Sequence, residues 1–153
     1  MKSGEGLKNV KRVWLPMAPV FNWSVGNWME QFFDGLKQKK IIASKCGACG
    51  RVYVPPRMIC ERCFAKTEEW VELPETGTVE TYTLAHVKVA ENGDLEDLAE
   101  PEIIAMVKHD GADTCMAARV EAQSCSVGMR VKAVWNDKPE GVLDAISSYR
   151  PVD

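Results

Sequence analysis

Four cysteines in the chain have the spacing of a metal site. Cys46, Cys49, Cys60 and Cys63 form a C-x2-C-x10-C-x2-C pattern within eighteen residues. Each C-x2-C pair turns two thiolates toward one point, and the loop between the pairs lets both reach a single tetrahedral ion. The pattern predicts one zinc ion per chain, about 2.3 Å from each sulfur. Because all four ligands come from the protein, the metal would be structural and would not activate water or a substrate.

Two other uses of the four cysteines stay open at this point. Two disulfides would suit a secreted domain, but the chain starts without the apolar segment of a signal peptide. Iron in a rubredoxin-like site would have the same four-thiolate geometry as zinc, because thiolates bind both metals. Zinc is the prediction, and the sequence alone does not separate it from iron.

The remaining cysteines and histidines do not form a catalytic pattern. Cys115 lies in a predicted strand and is interpreted as a small buried apolar residue. Cys125 lies in a polar loop and has no basic neighbour to lower its pKa. His86 and His109 fall in or at the end of predicted strands, where structural roles are more common than catalysis. We therefore predict no catalytic residue in this chain.

Length and charge limit the classes of function. The 153 residues provide room for a small metal module and one compact domain. The hydrophobic fraction is 46%, yet no apolar run approaches the roughly 20 residues of a membrane helix. A net charge of −3 does not favour binding to nucleic acid backbones. We expect a soluble, cytoplasmic protein without a membrane partner.

Two segments are predicted ahead of the metal module. Residues 1–26 would form an extended arm, because Pro16 and Pro19 exclude a helix in a stretch rich in large apolar residues. Residues 27–40 would form an amphipathic helix that begins with a capping box at Asn27 and Glu30. Both segments could cover the chain's own core or a partner's surface.

The metal module is predicted over residues 41–68, and a barrel over residues 69–153. Phe64 follows the second cysteine pair where glycine would be easier, so that turn should be strained or different. After residue 69 the apolar period changes to two, and Val79, Thr81, Thr83, Ala85 and Val87 are expected on one face. Candidate strands are residues 69–73, 78–89, 102–108, 114–121, 129–135 and 142–149. The fold class is therefore mainly β: an N-terminal helix, a rubredoxin-like zinc ribbon and a five-stranded OB-fold barrel.

This order of elements resembles the acyl-CoA-associated zinc-ribbon plus OB-fold family, first described as a domain of unknown function. The resemblance covers about residues 26–151. The residues that carry it are Trp28-Met29-Glu30-Gln31-Phe32, Cys46-Gly47-Ala48-Cys49-Gly50-Arg51-Val52-Tyr53, Pro55-Pro56-Arg57, Cys60 with Cys63, Gly77-Thr78-Val79, Tyr82-Thr83 and Gly128-Met129-Arg130-Val131. The departures are Phe64 in place of a usual glycine and an acidic insertion at residues 91–100.

The resemblance implies an accessory role beside a larger enzyme. Members typically accompany thiolase-like or hydratase-like enzymes that act on acyl-CoA. It therefore implies a hetero-oligomer with a catalytic thiolase subunit, in which this chain helps form or shield the acyl-CoA site, and benzoylsuccinyl-CoA is one candidate substrate. Basic residues that could meet the phosphates of CoA are Lys108, Arg119, Arg130 and Arg150, although solvated charges are their usual role. The alternative is an OB-fold that binds single-stranded nucleic acid through stacked aromatic residues.

Overall fold

A computed structural model describes residues 24–90, 93–137 and 145–152. These residues form one helix and eight strands in a mainly β fold. The elements are α1 (Gly26–Lys37), β1 (Ile41–Lys45), β2 (Val52–Tyr53), β3 (Glu69–Leu73), β4 (Thr76–Val89), β5 (Leu95–His109), β6 (Met116–Val120), β7 (Arg130–Trp135) and β8 (Ile146–Pro151). Most of the predicted arm, residues 1–23, and part of the last predicted strand, residues 142–144, lie outside the described residues.

Helix α1 is shifted toward the N-terminus compared with the prediction of residues 27–40. Its N-cap is Val25, which makes no side-chain capping bond, so the predicted capping box at Asn27 and Glu30 is wrong. The helix ends at Lys37 because Lys39 adopts a left-handed conformation with φ of 57°. The Lys40 N–H then donates to the Gly35 carbonyl and the Lys39 N–H to the Leu36 carbonyl, which is the bonding pattern of a Schellman cap.

The apolar face of α1 packs on the strand that follows it. Phe32 and Leu36 are buried with Ile41 and Leu73 in the first of three apolar clusters. Gly35 allows this close approach, because a Cβ at that position would lie 2.5 Å from Cγ1 of Ile42. The helix and the small sheet therefore share one core.

Strands β1, β2 and β3 form an antiparallel sheet in the order β2-β1-β3. All five residues of β3 pair with β1, from Leu73 opposite Ile41 to Glu69 opposite Lys45. The predicted division at residue 69 therefore differs from the structure, where β3 belongs to the sheet of the metal module. The barrel begins at β4.

The barrel consists of five strands in the closed order β4-β5-β6-β8-β7, which confirms the predicted five-stranded OB-fold. Its one parallel pair joins β6 to β8, with Val120 opposite Tyr149. Its interior is a second apolar cluster of buried residues: Val79, Ile103, Ala105, Val107, Val120, Val131, Ala133 and Tyr149. Closure leaves no open edge along the paired part of this sheet.

Bulges in β4 change the face that the sequence pattern predicts. Val79 pairs with Val107, but the register then shifts by one residue, so that Tyr82 pairs with Ala105 and Leu84 with Ile103. Tyr82 and Leu84 therefore share the face of the buried residues of β5, and the predicted run of odd-numbered residues beyond Val79 is wrong. A period-two pattern does not reveal an inserted residue.

Strand β5 starts at Leu95, seven residues before the predicted strand, and so includes much of the acidic insertion. Strand β4 pairs with β7 only over residues 76–78, and β5 pairs with β6 only over residues 103–107. The outer parts of β4 and β5 therefore form a two-stranded ribbon that extends from the barrel. We call residues 85–89 and 95–102 the β4–β5 ribbon.

Hydrogen bonds join the metal module to the barrel. The N–H of Val52 donates to Asp113, and the Asp113 N–H donates back to the Val52 carbonyl, both at 2.9 Å. The Thr114 hydroxyl accepts from the Val54 N–H and donates to its carbonyl, both at 2.8 Å. These contacts fix β2 against the loop between β5 and β6. No helix within the described residues is long and apolar enough to span a membrane.

Candidate metal centre

The structure brings the four predicted ligands together. The Sγ atoms of Cys46, Cys49, Cys60 and Cys63 all lie within 4.8 Å of one another. Sγ of Cys46 is 3.4 Å from that of Cys63, and Sγ of Cys49 is 3.6 Å from that of Cys60. In a tetrahedron with zinc–sulfur bonds of 2.3 Å the sulfurs would be about 3.8 Å apart. The arrangement therefore fits one tetrahedral ion, whereas a disulfide needs about 2.05 Å between sulfurs.

The two cysteine pairs occupy equivalent turns. In the first, the Gly50 N–H donates to the Cys46 carbonyl and the Cys46 N–H to the Arg51 carbonyl. In the second, the Phe64 N–H donates to the Cys60 carbonyl and the Cys60 N–H to the Ala65 carbonyl. Gly50 has φ of 74° and Phe64 has φ of 57°, so both lie in the left-handed region. Phe64 therefore uses the same turn as glycine does, at a cost of roughly 1–2 kcal/mol.

The side chain of Tyr53 contacts the candidate metal site. Its hydroxyl lies 3.1 Å from Sγ of Cys60 and accepts a 3.3 Å hydrogen bond from the Glu61 N–H. The hydroxyl donates to sulfur, and this bond lowers the pKa of Cys60 to about 6 against the opposing effect of burial. Burial raises the pKa of Tyr53 itself to about 12, so its proton stays available for the bond.

Two arginines lie over the ring of Tyr53. The guanidinium of Arg51 is 5.8 Å and that of Arg57 is 5.6 Å from the ring centroid. Both also pair with Glu61, at 3.0 and 2.9 Å. The positive charges lie next to a site whose four thiolates and one divalent ion would carry a charge near −2. The second coordination layer thus combines a hydrogen bond to sulfur with nearby cations.

The other cysteines and histidines are not arranged as a catalytic pair. Burial raises the pKa of the half-buried Cys115 and Cys125 thiols, which favours the unreactive protonated form. His86 is exposed, and His109 is buried. Among the described residues no hydrogen bond joins a histidine to a cysteine.

His109 has two defined hydrogen-bond partners. Its Nδ1 lies 3.0 Å from the Pro74 carbonyl, which can only accept, and its Nε2 lies 2.8 Å from the Tyr149 hydroxyl. The neutral ring therefore donates from Nδ1 and accepts from Tyr149 at Nε2. Burial lowers the pKa of His109, so the neutral form is favoured. The residue connects the end of the metal module to the barrel wall.

The basic residues considered for CoA phosphates are mostly engaged within the barrel. Arg130 pairs with Asp110 at 2.6 Å, Arg150 with Glu121 at 2.8 Å, and Arg119 with Glu102 at 3.7 Å. Lys108 is half-buried and has no ion pair in the described part of the chain. A phosphate would therefore compete with existing carboxylate partners at three of these four positions.

The aromatic residues needed by the nucleic-acid alternative are mostly enclosed. Tyr149 is buried, and Trp135 donates to Glu75 at 2.8 Å and packs on the first apolar cluster. Tyr82 is exposed on the barrel. Single-strand binding by an OB-fold depends on several exposed stacking residues and a basic groove. The observed arrangement does not favour that alternative.

A groove of about 650 Å³ lies where the β4–β5 ribbon leaves the barrel. Its apolar side chains are Tyr82, Leu84, Pro101 and Ile103, and the loop after β6 contributes polar groups. The groove lining is Tyr82, Leu84, Glu100, Pro101, Ile103, Ala122, Gln123, Ser124 and Cys125. Sequence reasoning missed this groove, because the bulge in β4 places Tyr82 and Leu84 there.

Family models match most of the described chain. A model for the ChsH2 rubredoxin-like zinc ribbon domain matches residues 33–69, and one for the ChsH2 C-terminal OB-fold domain matches residues 70–136. Together they cover more than half of the 153 residues. The chain belongs to the ChsH2 (DUF35) family. The sequence-based prediction of the family and of its two-part fold is confirmed.

Relatives of this DUF35-family chain include two archaeal proteins. It is 33% identical to a DUF35 domain-containing scaffold protein of Methanocaldococcus jannaschii over 120 residues, which are 74% of this chain and 82% of that protein. It is 29% identical to another of the same description from Methanothermobacter thermautotrophicus, over 71% of this chain and 81% of that one. A probable enoyl-CoA hydratase alpha subunit of Thermomonospora curvata matches 36% of this chain and 17% of its own length, at 33% identity.

Two solved structures share the fold of this DUF35-family chain. One is a DUF35-family protein of unknown function from Sulfolobus solfataricus, with 36% identity, coverage of 84% of this chain and 85% of that chain, and a TM-score of 0.61. The other is described as the Ltp2-ChsH2(DUF35) aldolase, with 21% identity, coverage of 88% and 98%, and a TM-score of 0.59. At 21% identity the second likeness concerns the fold alone.

Proposed function

We propose that the chain is a non-catalytic accessory subunit of an acyl-CoA thiolase. It would dock on the catalytic chain and help form or shield the acyl-CoA site during thiolytic C–C cleavage of a 3-oxoacyl-CoA, with benzoylsuccinyl-CoA as the proposed substrate. The partner would supply the activated cysteine, the base and the oxyanion donors that this reaction needs. The zinc site would hold the fold of this chain together.

The observation that carries the proposal is an uncovered apolar face on the β4–β5 ribbon. Val87 pairs with Asp97 and Val89 with Leu95, so three apolar residues share one face with the single carboxylate of Asp97. Lys88 and Glu96 form an ion pair on the other face. Val89 is 70% exposed and Leu95 is 58% exposed. A two-stranded ribbon with one apolar face is marginally stable in water, and contact with a partner would cover it.

The names of the relatives support a partnership with an acyl-CoA enzyme. Two archaeal relatives are described as scaffold proteins, a role that requires other chains. The match to a probable enoyl-CoA hydratase alpha subunit connects this type of module with acyl-CoA chemistry. The family resemblance noted in the sequence adds thiolase-like enzymes as typical partners. The thiolase is our choice among these enzymes.

The groove at the base of the ribbon supports a contribution to the acyl-CoA site. Its volume of about 650 Å³ is within the usual range of small-molecule sites. Apolar side chains line one part, and Gln123 and Ser124 could meet the amide groups of a pantetheine arm. The arm is uncharged, so the groove would not need the arginines that are engaged elsewhere.

The direct test combines this chain with the thiolase-like enzyme whose gene lies nearest its own. We expect co-elution of the two proteins on size exclusion with about one zinc per chain. The double variant Val87→Ser with Val89→Ser should lose co-elution, because it removes two of the three apolar side chains on this face without touching the barrel interior. Lys88→Gln, on the opposite face of the same strand, is the matched control and should co-elute.

Two outcomes would count against the proposal. If the wild-type chain elutes separately from that thiolase, the accessory role fails. If the Val87/Val89 double variant co-elutes as well as Lys88→Gln does, the ribbon face is not the docking surface.

A further inference from the structure

The side chain of Phe64 has two energetic costs within this chain, which are backbone strain and an exposed aromatic ring. It adopts the left-handed conformation that Gly50 adopts in the equivalent turn, although a side chain is strained there. Its ring is 79% exposed, so burial within the described part of the chain does not offset that strain. Glycine would avoid both penalties, and the fold of the metal site does not require the ring. A contact outside the chain would explain this side chain.

Two more exposed apolar residues lie on the same hairpin. Met58 is 50% and Ile59 is 38% exposed. Ile59 pairs with Lys66, and the Thr67 N–H donates to the Met58 carbonyl, so residues 58–67 fold back on each other with Phe64 near the turn. The turn formed by the second cysteine pair, Cys60 and Cys63, is the second knuckle of the metal module. We call the exposed residues in and beside it, Met58, Ile59, Arg62, Phe64 and Lys66, the second-knuckle surface.

The charged residues of this surface are basic. Arg62 and Lys66 are exposed and have no ion pair among the described residues. Glu61, which precedes Arg62 in the chain, already pairs with Arg51 and Arg57. The second-knuckle surface therefore combines an exposed aromatic ring with two free positive charges. A complementary surface would have an apolar pocket with carboxylates at its rim.

We propose that the second-knuckle surface docks on the catalytic partner, with Phe64 inserted into an apolar pocket whose rim carries carboxylates that meet Arg62 and Lys66. This inference rests on the proposed function and adds a second contact to that of the β4–β5 ribbon. A second copy of this chain is a poorer occupant, because a symmetric contact would bring the same positive charges together. An anionic membrane is also poorer, since such binding usually needs a larger basic cluster than two residues.

The decisive variant is Phe64→Gly, assayed by titration against the thiolase-like enzyme used above. We expect its affinity for that enzyme to fall at least tenfold, whereas its zinc content and melting temperature stay the same or rise because the backbone strain is removed. Phe64→Asn is a second variant, since asparagine tolerates the left-handed conformation. The matched control is Val127→Ala, which shortens a 67% exposed residue on the barrel and should bind like the wild type.

The charge complementarity has its own readout. Arg62→Glu should weaken the complex at both salt concentrations, and the loss of affinity should be larger at low salt than at high salt, because the variant places like charges together.

The proposal is overturned if both Phe64 variants bind within twofold of the wild type, or if both lose zinc and thermal stability, which would make the ring structural. It is also overturned if the chain alone forms a dimer that Phe64→Gly dissociates, or if vesicles with phosphatidylserine bind the wild type and not that variant. Separate elution of the wild type would instead contradict the proposed function itself.

Discussion

Tyr53 makes a side-chain hydrogen bond to one of the four cysteines of the candidate metal site. Its hydroxyl donates to the sulfur of Cys60, and its ring lies beneath Arg51 and Arg57. The cysteine spacing was enough to predict that four thiols would lie together, because each pair is local in sequence. Tyr53 could not be assigned in the same way, since its hydroxyl reaches a cysteine seven residues away through the folded sheet. The strained turn expected at Phe64 is found, in the same geometry as at Gly50.

We predict that Tyr53→Phe weakens zinc binding. The substitution keeps the ring and removes the hydrogen bond to sulfur, and such outer contacts typically affect metal affinity by about 10- to 100-fold. Competition with a coloured chelator measures the change. Tyr82→Phe, a tyrosine on the barrel, is the control and should bind zinc like the wild type. Equal zinc affinity for Tyr53→Phe and the wild type would show that the hydroxyl does not support the site.

We predict that His109 makes stability depend on pH. Burial lowers its pKa from the ordinary value of 6.5 in the folded chain, so the unfolded chain binds its proton first. The free energy of unfolding is therefore unaffected by His109 above about pH 6.5, and it decreases as the pH falls from there toward the lower pKa of the folded chain. Between pH 8 and pH 5.5 the melting temperature of the wild type should fall, and the melting temperature of His109→Gln should fall by less.

Two controls make the pH experiment specific. His86→Gln changes an exposed histidine and should keep the pH dependence of the wild type. Zinc content must be measured at each pH, so that metal loss is not counted as titration of His109. Identical pH profiles for the wild type and His109→Gln would contradict the assignment.

At the level of elements, the approach of β4 to its neighbours closes the barrel. Gly77 pairs with both His109 of β5 and Val131 of β7. Apolar alternation in the sequence predicted most of the strands, but it did not predict which strands pair with one another. Strand β3 joins the metal module and not the barrel, and the bulges in β4 depend on closure of the sheet. Both features come from long-range pairing, which a local pattern does not contain.

We predict that Gly77→Ala destabilises the fold. The added Cβ would lie 2.6 Å from the Lys108 carbonyl oxygen, and this backbone atom cannot move without a shift of β5. We expect a loss of about 1–3 kcal/mol in the free energy of unfolding, the usual cost of overpacking. Gly47→Ala is the control, because its Cβ would meet only the end of the flexible Glu69 side chain. Equal stability of the two variants in urea would contradict the prediction.

We predict that zinc removal affects the metal module before the barrel. Among the described residues, the cluster around the site has Cys46, Tyr53 and Cys60 as its buried members, and this cluster is too small to hold the turns without metal. The barrel has its own cluster of eight buried residues. After treatment with a chelator, hydrogen exchange should rise first over residues 46–66, which include both cysteine turns, and later over β5 and β7. Simultaneous exchange in both regions, or none, would contradict this division.

At the level of the whole molecule, the chain has two exposed surfaces with apolar residues and lacks an arranged reactive group among its described residues. The apolar face of the β4–β5 ribbon and the second-knuckle surface are both exposed, and the Sγ atoms of the four cysteines with metal spacing lie within 4.8 Å of one another. The family and its fold could be recognised from ordered sequence motifs. The identity of the proposed partner could not be recognised from the sequence, because a docking surface depends on how its side chains contact another protein.

The most direct measurement of the accessory role is thiolytic activity with benzoylsuccinyl-CoA. It should be assayed with the thiolase-like enzyme alone, with this chain alone, and with both. We predict cleavage by the mixture, none by this chain alone, and unchanged activity of the mixture when this chain carries Cys115→Ser, which lies outside the groove. Activity of this chain alone, or loss of activity in the Cys115→Ser variant although it still co-elutes with the enzyme, would contradict a non-catalytic subunit.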